Sequence, residues 1–247
     1  MYWKTWAVAL LLAISVAPQP AAAARGPLRI LGSDAVPLFF VRDGAVTGFC
    51  AEIVKEIQRR IGDRTPIQVV PWVRAYRTAL AGENVMLACP KRTPAREALF
   101  KWVGPVMETH TSLYALRSAR LRLHTLDDAR KLDGILLPRE FYSYEYLSQA
   151  GFTNLEPVGT SRTMLTMLLA GRRQAMVTDS EQLPALLAQA RVAPGTVVPV
   201  LPLTSTQSYL TFPADAPEAL VAPWRSALDS MKLDGTVARL TKQWLHR

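Results

Sequence analysis

The segment CPKRTPARE at 89–97 concentrates cationic groups that could bind an anion. It follows the apolar run VMLA and precedes a predicted helix. Its three cations are Lys91, Arg92 and Arg96. They are either exposed surface charges or part of a binding site, and the position of Arg96 bears on that choice.

Arg96 is predicted to lie in the first turn of a helix, because Thr93 can cap a helix and Pro94 suits its first position. A cation there opposes the helix dipole at a cost of about 0.3–1 kcal/mol, so Arg96 does not stabilise the helix. A guanidinium beside backbone N–H groups at the end of a strand can hold a carboxylate. The alternative is that Arg96 lies on the surface and pairs with Glu97 or solvent. The local pattern fits both interpretations equally.

Other candidate binding residues follow predicted strands or open predicted helices. Asp179 ends the apolar run AMVT, so it could contact a ligand or cap the next helix. Asp34 follows the first predicted strand and is a further candidate ligand-binding residue. Trp72 and Tyr76 lie four residues apart at a predicted helix start, where they could face a binding cleft or simply pack in the core.

The sequence offers little for catalysis or metal binding. Its three histidines, His110, His124 and His246, are isolated from one another in the chain. It contains no HExxH or CxxC motif, no GxSxG nucleophile turn and no glycine-rich phosphate loop. We therefore expect no metal, no cofactor and no enzymatic activity.

The predicted elements that must position these residues alternate between strand and helix. This alternation predicts an α/β protein with parallel sheets and with sites at the carboxyl ends of their strands. Two polar stretches, 107–113 and 201–209, could serve as linkers. We predict two lobes, one formed by residues 25–110 plus 207–247 and the other by residues 111–206, with two parallel-type sheets flanked by helices and two hinge crossings.

Residues 1–24 have the pattern of a cleaved export signal, with Lys4, an apolar stretch and the small residues AAAA. The apolar stretch, Trp6 to Val16, is shorter than the roughly 20 residues that cross a bilayer. We therefore predict a periplasmic protein. Loss of this segment removes one cation and no acid, so the formal net charge changes from +9 to +8. The remaining cations are scattered along the sequence, which argues against a nucleic-acid partner. We also expect the protein to be a monomer.

The two cysteines, Cys50 and Cys89, both follow the predicted signal and enter a compartment that permits disulfides. They could pair or remain separate thiols, because their spacing does not show whether they meet. By the chain-entropy model, a disulfide between them would stabilise the fold by about 4 kcal/mol.

Much of the chain resembles the amino-acid-binding branch of the periplasmic solute-binding proteins, known as bacterial extracellular solute-binding protein family 3. The most specific similarity is the TPxR motif followed by a strand like WVGP. The resemblance covers nearly the whole mature chain and implies the type II two-lobed fold of that family. The segments that carry it are GFCAEIVKEIQRRIG, PWVRAYRTALAGENVMLACPKRTPAREALFKWVGPV, LAGRRQAMVTD and LDGTVARLTKQW.

The resemblance also implies roles for individual residues. Arg96 matches the arginine with which the family clamps the ligand α-carboxylate. Asp179 matches the acid that binds the α-ammonium, and Trp72 lies where the family often places an aromatic ring against the ligand. The implied function is capture of an amino acid or related organic acid between two lobes. The implied membrane partner is an ABC permease or a sensor.

The sequence departs from the family pattern at several positions. PREFYSYEY replaces the usual Gly-Ser or Gly-Thr, so Arg139 and Glu140 are predicted to crowd or recharge the pocket. Cys50 stands where the family usually has an acid after GF. Lys91 occupies a position at which the family more often has a small polar residue. We therefore count Lys91 and Arg139 as candidate ligand-binding residues. An extra cation in the pocket would favour a ligand with more than one acidic group.

An enzyme is the alternative function. Some members of this fold are dehydratases that act on small carboxylic acids, and Glu140 could then serve as a general acid.

Overall fold

The structure is a computed structural model that describes residues 26–82, 84–139 and 141–245. The predicted export signal at 1–24 and the candidate general acid Glu140 lie outside the described residues.

The described residues contain ten strands. Their bounds are β1 Arg29–Gly32, β2 Phe40–Arg42, β3 Ala45–Thr47, β4 Ile67–Val69, β5 Val85–Lys91, β6 Phe100–Leu116, β7 Ile135–Pro138, β8 Leu155–Val158, β9 Ala175–Asp179 and β10 Val197–Pro213. Three of them, β1, β5 and β9, contain the apolar runs predicted to precede candidate site residues.

Eight α-helices alternate with these strands in the described residues. Their bounds are α1 Phe49–Ile61, α2 Trp72–Leu80, α3 Leu126–Arg130, α4 Tyr142–Gln149, α5 Ser161–Leu169, α6 Leu183–Gln189, α7 Glu218–Leu233 and α8 Thr236–Leu245. Two short 3-10 helices, Pro94–Leu99 and Arg117–Ala119, flank β6.

Eight of the described strands form one mixed sheet in the order β4-β1-β5-β10-β6-β9-β7-β8. The strands of each lobe are parallel to one another: β1 pairs with β4 and β5, and β7 pairs with β8 and β9. The long strands β6 and β10 pair antiparallel along their length and lie between the two parallel sets. β2 and β3 form a separate hairpin.

The expectation of two separate sheets needs correction, because the two crossings are strands that hydrogen-bond to each other. Residues 107–113 lie in β6 and residues 201–209 in β10, where for example Thr111 is opposite Thr204. The polar composition of these stretches suggested linkers. Their burial nevertheless alternates from Glu108 to Thr111 between exposed and buried, as expected for a strand.

The apolar core divides into four clusters, two in each lobe. The first-lobe clusters include no described residue between Met107 and Leu210. The second-lobe clusters stay within Leu113–Leu203. Each lobe thus has its own core on both faces of the sheet, and we propose that the lobe boundaries lie where predicted, near residues 110 and 207.

Most helix ends follow their local sequence signals. α1 ends at Gly62, whose φ of 73° is in the left-handed region that glycine adopts readily. Thr125 and Asp128 form the capping box that opens α3. Thr160 caps α5 by accepting a hydrogen bond from the Thr163 backbone N–H.

The helix predicted at TPARE is instead the 3-10 helix Pro94–Leu99. Thr93 precedes it but makes no capping hydrogen bond, although Pro94 does occupy the first turn. Six residues of 3-10 geometry present few aligned N–H groups, so the helix dipole contributes little here. The helix dipole therefore does not explain the position of Arg96, whereas the contacts of the Arg96 side chain do.

An ion-pair network joins α1 to the junction between α7 and α8. Glu56 accepts hydrogen bonds from Arg59 and Arg60, and Arg60 also pairs with Asp234 at 2.7 Å. The hydrogen bond from Arg59, supported by that from Arg60, lowers the pKa of Glu56 from its ordinary 4.5 to about 2. Glu56 therefore stabilises the fold fully above pH 4.5, and this contribution is lost as the pH falls toward 2.

We expect Glu56→Gln to lower the free energy of unfolding at pH 7 by about 1 kcal/mol, the scale of exposed ion pairs. Urea denaturation between pH 7 and pH 2 would measure it. The difference between the two proteins should shrink below pH 4.5 and also at 1 M salt, where charges are screened. A difference that stayed constant down to pH 2 would contradict this role.

Candidate functional site

The site residues meet between the lobes, at the carboxyl ends of the parallel strands. Lys91 ends β5 and Asp179 ends β9, while Trp72 opens α2 after β4. Arg96 lies in the 3-10 helix after β5. All four line a cavity of about 50 Å³, so the chain brings together residues that are far apart in sequence.

Arg96 is a buried cation held against two aromatic rings. It is 1% exposed, and its guanidinium carbon lies 5.2 Å from the centroid of Trp72 and 4.7 Å from that of Tyr76. The two rings stack on each other with centroids 5.2 Å apart. Cation–π attraction strengthens when water is excluded, so these rings fix the position of the guanidinium. Trp72 therefore lines the cavity, and Tyr76 stacks on it.

The Arg96 guanidinium binds a carboxylate from the other lobe. Its Nε lies 3.2 Å from Oε2 of Glu145, and one terminal nitrogen, Nη2, lies 2.6 Å from Oε1. This is the bidentate geometry with which arginine recognises carboxylates. Glu145 belongs to α4, so the pair joins the two lobes. A second contact beside it pairs the Trp72 ring with Phe141 at 5.7 Å.

The carboxylate of Asp179 is buried and surrounded by protein groups. Oδ1 accepts hydrogen bonds from the hydroxyls of Thr111, at 2.8 Å, and Tyr142, at 2.6 Å. Oδ2 accepts one from the Gln182 amide at 3.2 Å and lies 3.6 Å from Nζ of Lys91. Asp179 therefore does not cap α6, which begins only at Leu183.

Lys91 is buried and points at Asp179. Its Nζ also donates a hydrogen bond to the Thr109 hydroxyl and lies 5.8 Å from the centroid of the Tyr142 ring. Burial lowers the pKa of the Lys91 ammonium, while the charge of Asp179 opposes that shift. Burial, together with the Asp179 charge, raises the pKa of the Tyr142 phenol well above its ordinary value, so Tyr142 stays protonated and donates to Asp179.

The remaining walls of the cavity are mainly apolar, with Leu38, Phe39 and Phe141 among them. The disulfide between Cys50 and Cys89 also lines it and joins the start of α1 to β5. The two sulfurs thus meet, which the sequence left open.

Asp34 and Arg139 lie in a neighbouring cavity of about 660 Å³. The two cavities share wall residues, including Trp72, Phe141 and Gln182, so they adjoin. Both Asp34 and Arg139 are exposed. In this structure they line the outer part of the cleft and do not line the cavity at Arg96.

Most of the sequence matches one protein family. Residues 28–247 match the bacterial extracellular solute-binding proteins, family 3. The chain belongs to this family of solute-binding proteins. No curated protein sequence matches it at a significant level.

Solved structures show the same two-lobed α/β fold, that of periplasmic binding proteins. A histidine kinase sensor domain similar to periplasmic binding proteins has a TM-score of 0.80 at 19% identity, covering 90% of this chain and 97% of that one. The arginine-, lysine-, histidine-binding protein ArtJ from Geobacillus stearothermophilus has a TM-score of 0.76 at 15% identity, with 90% and 96% covered. The ancestral amino acid-binding protein AncCDT-1, a precursor of cyclohexadienyl dehydratase, has a TM-score of 0.73 at 20% identity, with 88% and 95% covered.

The family 3 fold places four predicted site residues together in this solute-binding protein: Lys91, Arg96, Asp179 and Trp72. Glu145, Tyr142 and Thr111 contact the candidate site residues Arg96 and Asp179 but were not predicted from the sequence. Tyr142 and Glu145 were visible as part of the departure PREFYSYEY, which is the signal that could have marked them.

The expected surplus of positive charge is not present at Lys91, because this side chain pairs with Asp179. Lys91 therefore does not by itself favour a ligand with two acidic groups.

None of the described helices of this solute-binding protein combines the length and hydrophobicity needed to cross a bilayer. Among the described residues, no group of three or more His, Cys, Asp or Glu side chains is placed to hold a metal ion.

Proposed function

We propose that this protein is an exported, periplasmic solute-binding protein that captures a small carboxylate-bearing solute between its lobes without chemically changing it. Arg96 binds the solute carboxylate, and Trp72 provides an aromatic wall. The captured solute is delivered to a membrane partner, which is either an ABC-type permease or a sensor that recognises the closed form. The protein works as a monomer.

The single observation that carries this proposal is the environment of Arg96. The guanidinium is 1% exposed, rests on two aromatic rings and already binds the Glu145 carboxylate through two nitrogens. A buried arginine in this geometry is built to recognise a carboxylate. Glu145 is partly exposed, with 30% of its side chain accessible, so it can leave while Arg96 stays in place. A ligand carboxylate then takes its position.

A thermal-shift screen of the purified protein tests capture. The panel contains amino acids, di- and tricarboxylates, aliphatic monocarboxylates and small aromatic acids. At least one carboxylate should raise the melting temperature with increasing concentration, and it should be recovered unchanged after incubation. A carboxylate that is dehydrated or otherwise converted during incubation would instead favour an enzyme.

Replacing Glu145 with glutamine is expected to tighten binding of the best carboxylate from this screen by about 10-fold or more. The ligand no longer has to displace a charged competitor whose hydrogen bonds contribute about 1.5–3 kcal/mol each, and 1.4 kcal/mol corresponds to a factor of ten. Isothermal titration calorimetry of wild type and Glu145→Gln would measure the ratio of Kd values.

Glu97→Gln is the matched control for this substitution. Glu97 pairs with Arg92 on the exposed surface, at an ion pair outside the cavity. It should leave the Kd unchanged within a factor of about two. If Glu145→Gln weakened binding instead, Glu145 would be a ligand contact and not a competitor.

A further inference from the structure

The acceptor positions of Asp179 are already filled by the protein. A carboxylate offers about four lone-pair positions on its two oxygens. Thr111 and Tyr142 occupy Oδ1, while Gln182 and Lys91 lie against Oδ2. Asp179 is only 5% exposed, so a ligand group cannot reach its carboxylate from the solvent side without moving a protein group. A ligand ammonium could reach this acid only by displacing one of these four groups.

Lys91 is the group that stands in the place of such an ammonium. Its Nζ is 3.6 Å from Oδ2 of Asp179, and its side chain is 8% exposed. The Lys91 Nζ also donates a hydrogen bond to the Thr109 hydroxyl and lies near the Tyr142 ring. Because the nitrogen is attached to the chain, it occupies Asp179 without any cost of bringing a ligand from solution. An incoming ammonium would also meet a second cation at close range, which is unfavourable.

The charged residues at the cavity determine which charge the ligand must carry. Lys91 and Asp179 offset each other, so Lys91 is not available to a second ligand carboxylate. A ligand carboxylate that replaces Glu145 at Arg96 brings one negative charge in exchange for the one that leaves. The nearby walls include Leu38, Phe39 and Phe141, which favour an apolar body.

We infer that the site selects small monocarboxylates with an apolar body and no α-ammonium group, because Lys91 permanently fills the ammonium position at Asp179. The inference rests on the proposed capture of a carboxylate at Arg96. Lys91 is therefore the residue that excludes α-amino acids. Its ammonium group takes the place at Asp179 that the α-ammonium of such a ligand would occupy.

Ligand sets with a shared carbon skeleton test this selectivity in the wild-type protein. One set is L-leucine, 2-hydroxy-4-methylpentanoate and 4-methylpentanoate, and the other is L-phenylalanine, 3-phenyllactate and 3-phenylpropionate. Glutarate is added as a dianion without an apolar end. Isothermal titration should give Kd values at least 10-fold lower for the acids without an amino group than for the matching amino acid. Glutarate should bind more weakly than the better monocarboxylates.

Lys91→Met supplies the second arm, because methionine removes the nitrogen and keeps an unbranched apolar side chain. It should reduce the preference against the amino acid by about 10-fold, since Oδ2 of Asp179 becomes available to the ligand ammonium. Lys101→Met is the matched control, because Lys101 bonds the Ala216 carbonyl away from the cavity. It should keep the wild-type preference. Circular dichroism checks that each variant is folded, and the wild-type comparison stands if Lys91→Met is not.

The outcomes separate this inference from the proposed function. Wild-type binding of an amino acid as tight as, or tighter than, its deaminated partner would overturn the inference. If that binding still required Arg96, carboxylate capture would stand. A preference for the deaminated acids that Lys91→Met leaves unchanged would overturn the role of Lys91. Failure of every acid in both sets and of glutarate to bind would overturn both, because the inference depends on capture at Arg96.

Discussion

Replacing Arg96 with alanine is expected to weaken binding of the captured carboxylate by about 100-fold to 10,000-fold. The variant loses two charge-assisted hydrogen bonds of about 1.5–3 kcal/mol each, and every 1.4 kcal/mol is a factor of ten in Kd. The aromatic pair Trp72 and Tyr76 remains but then has no cation to position. Isothermal titration with the tightest ligand of the screen would measure the loss.

Two variants show whether the loss is specific to the guanidinium at this position. Arg96→Lys keeps the charge but not the planar fork, so its affinity should lie between those of wild type and Arg96→Ala. Arg92→Ala removes an exposed arginine from the same segment and should change the Kd less than about three-fold. Wild-type affinity in a folded Arg96→Ala protein would show that the carboxylate binds elsewhere.

Removing the Cys50–Cys89 disulfide is expected to lower the free energy of unfolding by about 4 kcal/mol. The bond closes a loop with a sequence separation of 39, and the chain-entropy model gives a loop of this length that stabilisation. Cys50→Ala combined with Cys89→Ala removes the cross-link without leaving a thiol beside the cavity. Urea denaturation of this variant and of wild type would give the difference.

Reduction of the wild-type protein provides an independent measurement of the same cross-link. Its unfolding midpoint should move toward that of the double alanine variant, while the variant itself should not respond to the reductant. Equal midpoints for the oxidised wild type and the variant would contradict a stabilising disulfide. Since the disulfide also lines the cavity, the same samples would show whether ligand affinity depends on it.

If the protein captures a solute as proposed, contacts that cross the cleft would couple ligand binding to lobe closure. The Arg96–Glu145 ion pair connects the first lobe to α4 of the second, and the Trp72–Phe141 ring contact connects it to the residue just before α4. A ligand that displaces Glu145 removes one of these contacts. It must therefore supply its own link between the lobes if the closed form is to be favoured, because a ligand shifts such an equilibrium only by its differential affinity for the two forms.

The sequence by itself determined the local structure and the family of this protein. Apolar spacing and Gly62 defined α1, and Thr125 with Asp128 defined the start of α3, because these signals act between residues close in the chain. The motif around Arg96 and the end of β9 at Asp179 marked the candidate site, since the carboxyl ends of parallel strands lie together. These features depend on nearby residues and on general rules of sheet topology.

The tertiary structure decided which charged groups are partners. Glu145 lies 49 residues from Arg96 and meets it only because α4 packs across the cleft. Lys91 turns toward Asp179, and the two cysteines meet across a sequence separation of 39, for reasons that no local pattern encodes. The direction of a long charged side chain depends on which buried groups would otherwise remain without a partner. That balance exists only once both lobes have folded, so the sequence could indicate the candidate site but not which of its charged groups pair with one another.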